Sequence, residues 1–179
     1  MCIYSNLKDF FWGIGFFGWQ ISIVYALFIA YNQNIGYSIL FLILFLLSGW
    51  LNHNVFKKFI HNLRPAYFIP FLAKELKNKK RTNGMPSGHA QQTAFALTFA
   101  YLLTHKNMFY SLLLFFISAL ERYVFRNHTL LQLIAGGVLG VFLGYISFYI
   151  MKYIESNKDK IFINLSKPST LCLSISITN

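Results

Sequence analysis

The chain has 179 residues, of which 56% are hydrophobic, 19% aromatic and only 12% charged. A soluble globular domain carries about 25% charged residues. The deficit, with a mean hydropathy of +0.49, points away from a soluble protein and towards a membrane-embedded one. The net charge of +11 suits a nucleic-acid backbone, anionic lipid headgroups or an anionic substrate. The apolar runs below argue against nucleic acid. Cys2 and Cys172 lie near opposite ends and give neither a disulfide framework nor paired metal-ligand spacing. No metal and no cofactor are expected.

Residues 1 to 9 are a short polar start. The first apolar run, Phe10 to Tyr31, follows Lys8 and Asp9. It is too long for a signal core and lacks a small-x-small cleavage site, so an uncleaved anchor fits better than a cleaved signal. Asn32-Gln33-Asn34 turns the chain into a second span, Ile35 to Leu51. So short a turn sets the two spans side by side and antiparallel. Trp12, Trp19 and Trp50 fall near span ends, where aromatic belts form.

Asn52 to Met85 is polar, basic and long for a connection. Within it Ala66 to Leu76 has the pattern of an amphipathic interfacial helix. Lys77 to Arg81 is a basic run that suits a solvated, headgroup-contacting loop. A third span covers Ser87 to Leu103, a fourth Met108 to Tyr123 and a fifth His128 to Tyr153. Gly136, Gly140 and Gly144 repeat at GxxxG spacing, which lets a neighbouring helix approach closely.

The expected fold class is all-α: a polytopic transmembrane helix bundle of about five spans with an interfacial active-site loop. Residues 1–155 are expected to form one membrane-embedded domain and 156–179 a polar tail. Five spans put the long basic loop and the Arg122–Asn127 turn on the same side as the N-terminus. Three polar clusters, distant in sequence, then meet at one membrane face.

The first cluster is Lys57, Arg64 and Pro65, spaced KxxxxxxRP. Arg offers a bidentate fork to an oxyanion and Lys a point charge. The second is Pro86-Ser87-Gly88-His89. Pro86 suits a first-turn position. A helix start there leaves the Ser87 and Gly88 N–H groups turned outward as an anion site, with His89 in the same turn. The third is Arg122, His128 and Gln132, in the pattern ERxxxxxHxxxQ. His128 and Gln132 are four apart at the opening of the fifth span and share a helical face. A side-chain oxygen on one ring nitrogen leaves the other free to attack. Three cations, a helix-terminal nest and two histidines suit phosphoryl transfer without metal.

In this order and spacing the motifs resemble those of the type-2 phosphatidic acid phosphatase superfamily, whose general form is KxxxxxxRP, PSGH and SRxxxxxHxxxD. The match covers residues 57 to 132. The resemblance implies that His128 is the nucleophile forming a phosphohistidine and that His89 protonates the leaving group. It implies that Lys57, Arg64, Ser87, Gly88 and Arg122 bind phosphate. Glu121 stands where Ser is usual, and Gln132 stands where an Asp orients the nucleophile. Gln132 can accept from the His128 ring but cannot supply charge to an imidazolium, which allows for reduced activity. The text Gly84-Met85-Pro86-Ser87-x-His89-x-Gln91 and His128-Thr129-x-x-Gln132 is similar to the dolichyl-diphosphatase branch, which also carries Gln at the last position.

The expected activity is hydrolysis of the terminal phosphate of a polyprenyl or dolichyl diphosphate, in a multi-pass membrane protein. Phosphatidic acid or another glycerolipid phosphate is the alternative substrate, and a catalytically silent headgroup-binding protein the alternative class. The compartment would be the endoplasmic reticulum or, in a bacterium, the inner membrane. Loop charge favours a cytoplasmic site by the positive-inside rule, whereas the resemblance implies a lumenal one. Asn164-Leu165-Ser166 is a glycosylation sequon if the tail is lumenal, and Asn127-His128-Thr129 lies too close to the membrane to serve.

Overall fold

The computed structural model describes residues 10–65 and 83–157. The expected interfacial helix, the basic run, the tail sequon and both cysteines lie outside the described residues. Among the described residues six helices make the bundle: α1 Phe10–Phe16, α2 Gly18–Gln33, α3 Ile35–Phe59, α4 Gly88–Thr104, α5 Met108–Val124 and α6 Leu130–Ser156. Among the described residues there is one isolated antiparallel bridge, Leu63 to Asn83, and no strand. The protein is an all-α bundle, as its composition requires.

The second, third and fourth spans lie within two residues of their expected starts. By length and composition α3 and α6 can each cross a membrane, and α1 with α2 makes a third crossing if the bent pair is one span. α4 and α5 have 17 residues each, a rise of about 25 Å, short of the ~30 Å hydrocarbon thickness. The five expected spans are present as helical units, and among the described residues two or three qualify as crossings by length and composition alone.

The first span is not the single helix expected over Phe10 to Tyr31. It breaks at Phe17 and bends by 65°. Packing against α5 accounts for the bend. A Cβ on Gly15 would lie 2.6 Å from Glu121 Cβ, and one on Gly18 would lie 2.6 Å from Ser118 Cβ. Only glycine allows that approach. At the break the Phe16 carbonyl accepts from Arg122 Nη2 at 3.3 Å, and the Trp12 ring meets Phe125 edge-on at 5.5 Å.

α4 is the central element, packed on α2, α3, α5 and α6. Small residues make this possible, because lipid gives no hydrophobic drive for helices to associate and close van der Waals packing must do it. On α2 the buried stripe is Gly18, Ser22, Ala26 and Ala30, spaced four apart. On α6 the glycines face α4 in register: Gly136 meets Ser87, Gly140 meets Gln91 and Gly144 meets Phe95. The register rises on both chains, so α4 and α6 run parallel with their N-termini together. Away from that end an aromatic core forms from Phe41 and Phe45 of α3 with Phe95 and Phe99 of α4. The Phe41 and Phe99 ring centroids are 4.9 Å apart.

Candidate active site

The site lies at the end of the bundle where α4 and α6 begin. Two parallel helix N-termini turn their partial positive charge and unbonded N–H groups towards one place. Ser87 is the N-cap of α4 and its Oγ accepts from Ala90 N. Pro86 therefore stands outside the helix, not in its first turn. The Ser87 N–H, expected to face outward, donates to the Gln132 carbonyl at 3.0 Å. The nest is left with the N–H groups of Gly88 and His89, the first two helical residues.

Lys57 reaches this nest through a π turn at Asn52–Phe56 in α3. One inserted residue rotates the following face by about 100°. Lys57 Nζ lies 3.8 Å from the point where a Cβ on Gly88 would sit. The turn is held by Asn52, whose Nδ2 donates to Gln91 Oε1, while Gln91 Nε2 donates to the Ser48 carbonyl at 3.0 Å. Gln91 thus serves packing between α3 and α4.

The long connection is closed at its neck. Gly84 N donates to the Asn62 carbonyl at 2.7 Å, and Asn83 Nδ2 donates to the Lys57 carbonyl at 2.9 Å. Arg64 Cγ would lie 2.7 Å from a Cβ on Gly84, so the Arg64 stem runs across that glycine. The first two clusters are joined there, whatever the residues between them do.

The third cluster closes the site. Thr129 caps α6, with its Oγ1 accepting from Gln132 N at 3.3 Å and Gln132 Oε1 accepting from Thr129 N at 3.2 Å. This is a capping box, and its Thr-x-x-Gln signature was present in the sequence. His128 precedes the cap and lies outside the helix. The shared helical face expected for His128 and Gln132 is therefore not the reason they meet. The capping box turns Gln132 back, and its Oε1 lies 3.0 Å from His128 Nδ1. Gln132 Nε2 donates to Asn62 Oδ1 at 2.5 Å and to the Leu63 carbonyl at 3.1 Å.

These partners settle the amide orientation. Thr129 N–H can only donate and the Leu63 carbonyl can only accept, so Oε1 faces the first and Nε2 the second. An oxygen beside Nδ1 requires a proton on that nitrogen. The Nε2 lone pair of His128 is then free.

Arg122 and Glu121 are buried at the end of α5 and form an ion pair, Nε to Oε2 at 3.0 Å. Glu121, unusual at its position, thereby gains a partner, its own neighbour. Arg122 also lies over the Phe16 ring at 4.9 Å. Its carbonyl accepts from Asn127 N at 2.9 Å and His128 N at 3.2 Å, which shapes the turn carrying His128. His89 packs edge-on against Trp19 with ring centroids 5.9 Å apart. Trp19 thus borders the site, a role its place near a span end did not suggest.

All three cations act on both histidines. His89 lies in the field of Arg122, His128, Arg64 and Lys57. His128 lies in that of Arg64, Lys57 and Arg122. Burial, then these charges, push the His128 imidazole from the usual 6.5 down to about 3, against the Gln132 hydrogen bond, which raises it. At neutral pH the ring is uncharged.

A stability prediction follows from that shift. Between pH ~6.5 and ~3 the unfolded chain binds a proton at His128 and the folded chain does not. Stability is therefore expected to fall as pH drops through that interval. Thermal unfolding in detergent should show a smaller acid loss for His128→Asn than for wild type; equal losses would contradict a neutral buried imidazole.

Two or three helices are long and apolar enough to cross a membrane, and one end of the bundle brings three cations and two histidines together. The family model that matches this chain is the PAP2 superfamily, over residues 35–156, more than half the chain. The chain belongs to that superfamily, whose members are phosphatases, and it is a phosphatase of the lipid-phosphatase kind. No curated protein and no solved structure gave a significant match.

Proposed function

We propose that the protein removes the terminal phosphate of a polyprenyl or dolichyl-type diphosphate through a phosphohistidine at His128. The observation that carries this reading is the Gln132 amide, which leaves His128 Nε2 as the free lone pair beside three cations and a second histidine.

Nε2 attacks phosphorus as the bond to the leaving oxygen breaks, and His89 gives that oxygen its proton. Water then attacks phosphorus, His89 takes the water's proton, the P–N bond breaks and inorganic phosphate leaves. Lys57, Arg64 and Arg122, with the amides of Gly88 and His89, meet the charge on the phosphoryl oxygens. The Ser87 hydroxyl adds a donor, while its backbone holds α4 against Gln132. Gln132 fixes the tautomer but, being neutral, does not stabilise an imidazolium.

The diphosphate preference rests on the sequence around Gln91 and Gln132, and the glycerolipid alternative is tested in the same assay. Purified protein in detergent is given dolichyl diphosphate and phosphatidic acid, and phosphate is measured with and without EDTA. Faster release from dolichyl diphosphate, unchanged by chelation, is expected. Faster release from phosphatidic acid would move the substrate to the glycerolipids. Complete loss with EDTA would overturn the metal-free mechanism.

A further inference from the structure

Asn62 sits among the positions that the motif leaves unspecified between Lys57 and Arg64. Its backbone serves the neck of the loop: the N–H donates to the Ile60 carbonyl at 3.0 Å and the carbonyl accepts from Gly84 at 2.7 Å. A loop asparagine needs no more than that. Yet its side chain reaches across 70 positions of sequence to Gln132, with Oδ1 2.5 Å from Nε2.

Gln132 is fully buried, so a hydrogen of its amide nitrogen left without an acceptor is costly. Two acceptors are supplied, and both come from the first motif: Asn62 Oδ1 and the Leu63 carbonyl. With both hydrogens held, Oε1 stays towards His128 Nδ1 and Thr129 N–H. If the amide turned over, a donor would face Nδ1. The ring proton would then move to Nε2, and the lone pair would leave the side that meets phosphate.

We propose that Asn62 is a positioning residue: by accepting the second hydrogen of the Gln132 amide nitrogen, its side chain secures the orientation that Thr129 N–H and the Leu63 carbonyl set, and so holds His128 Nε2 free. This rests on His128 being the nucleophile. It links the first motif to the third. In relatives with Asp at the place of Gln132, a carboxylate has two equivalent acceptor oxygens and no such turnover. Asn62 thus meets a requirement that comes with an amide at position 132.

The test uses the full chain in detergent with dolichyl diphosphate. Asn62→Ala is expected to lower kcat roughly ten- to a hundredfold with KM little changed. In a Gln132→Ala background the same substitution should have almost no further effect. Asn62→Asp keeps the acceptor and should stay within about threefold of wild type. Its added charge should move the acid limb of kcat/KM to higher pH, with Arg64, Lys57, Arg122 and His89 still facing His128.

Full activity in Asn62→Ala would overturn the proposal. So would an equal loss in both backgrounds, which would make Asn62 a loop residue only. If Asn62→Ala does not fold, Asn62→Asp decides: an acid limb that stays put sinks the idea. An inactive wild type, by contrast, would sink the nucleophile reading itself.

Discussion

Replacement of His128 by alanine is expected to lower phosphate release at least about a thousandfold and to remove the phosphoenzyme entirely. In the structure His128 is the buried imidazole whose Nδ1 is engaged by a carbonyl oxygen. Without it the cations and amides still bind the headgroup, so substrate affinity should change far less than turnover. The check is a rapid acid-free quench with phosphate-labelled lipid. Wild type should carry an acid-labile, base-stable phosphoryl group on histidine, and His128→Ala none. A labelled His128→Ala protein, or equal release by both, would remove the nucleophile from His128. His89→Ala separates the roles, because it should still accept the label from a good leaving group while losing most turnover on lipid.

The second large effect is expected at a residue that carries neither charge nor side chain. Gly136 lies against the backbone of Ser87, whose N atom would be 3.1 Å from an added Cβ and whose O atom would be closer still. The backbone of Ser87 and the Cβ of Ala90 offer no flexible side chain to give way. Gly136→Val must push α4 from α6 at the end where the site is built. Ser87 then loses its bond to the Gln132 carbonyl, and the nest moves relative to His128. A shift of about 1 Å is enough to cost roughly a hundredfold in rate. Activity should fall at least that far, with a lower unfolding temperature and unchanged membrane insertion. Gly13, whose Cβ would meet nothing within 4 Å, is the control, and Gly13→Ala should behave as wild type. A fully active Gly136→Val protein would show that the parallel α4–α6 contact does not set the site.

The contrast between those glycines shows how far the chain is legible without its fold. Composition and run length gave the all-α bundle and set α4 and α5 to within a residue or two, because lipid demands apolar helices wherever the backbone is buried. They could not give the 65° bend at Phe17, since no proline marks it. The bend exists because Gly15 and Gly18 meet Glu121 and Ser118, more than 90 positions away. The turn holding Lys57 was equally hidden, for it depends on Asn52 meeting Gln91 on another helix.

The candidate site divides in the same way. Lys57, Arg64, His89, Arg122 and His128 could be named as candidates from motif spacing, because cations and imidazoles are the side chains suited to meeting and transferring a phosphoryl group. Their local settings could not be. Pro86 lies outside the helix, His128 lies before the cap, and the Ser87 N–H is bonded to Gln132.

What the sequence alone determined is the chemistry in stock: a membrane helix bundle, three cations, two histidines and a glutamine where a charge is more usual. What only the tertiary structure decided is direction. A glutamine can present oxygen or nitrogen to its neighbour, and sequence does not say which. The buried acceptors from Asn62 and Leu63, and the donor from Thr129, leave one orientation in which every polar atom of that amide is satisfied, and that orientation sets the free nitrogen of His128.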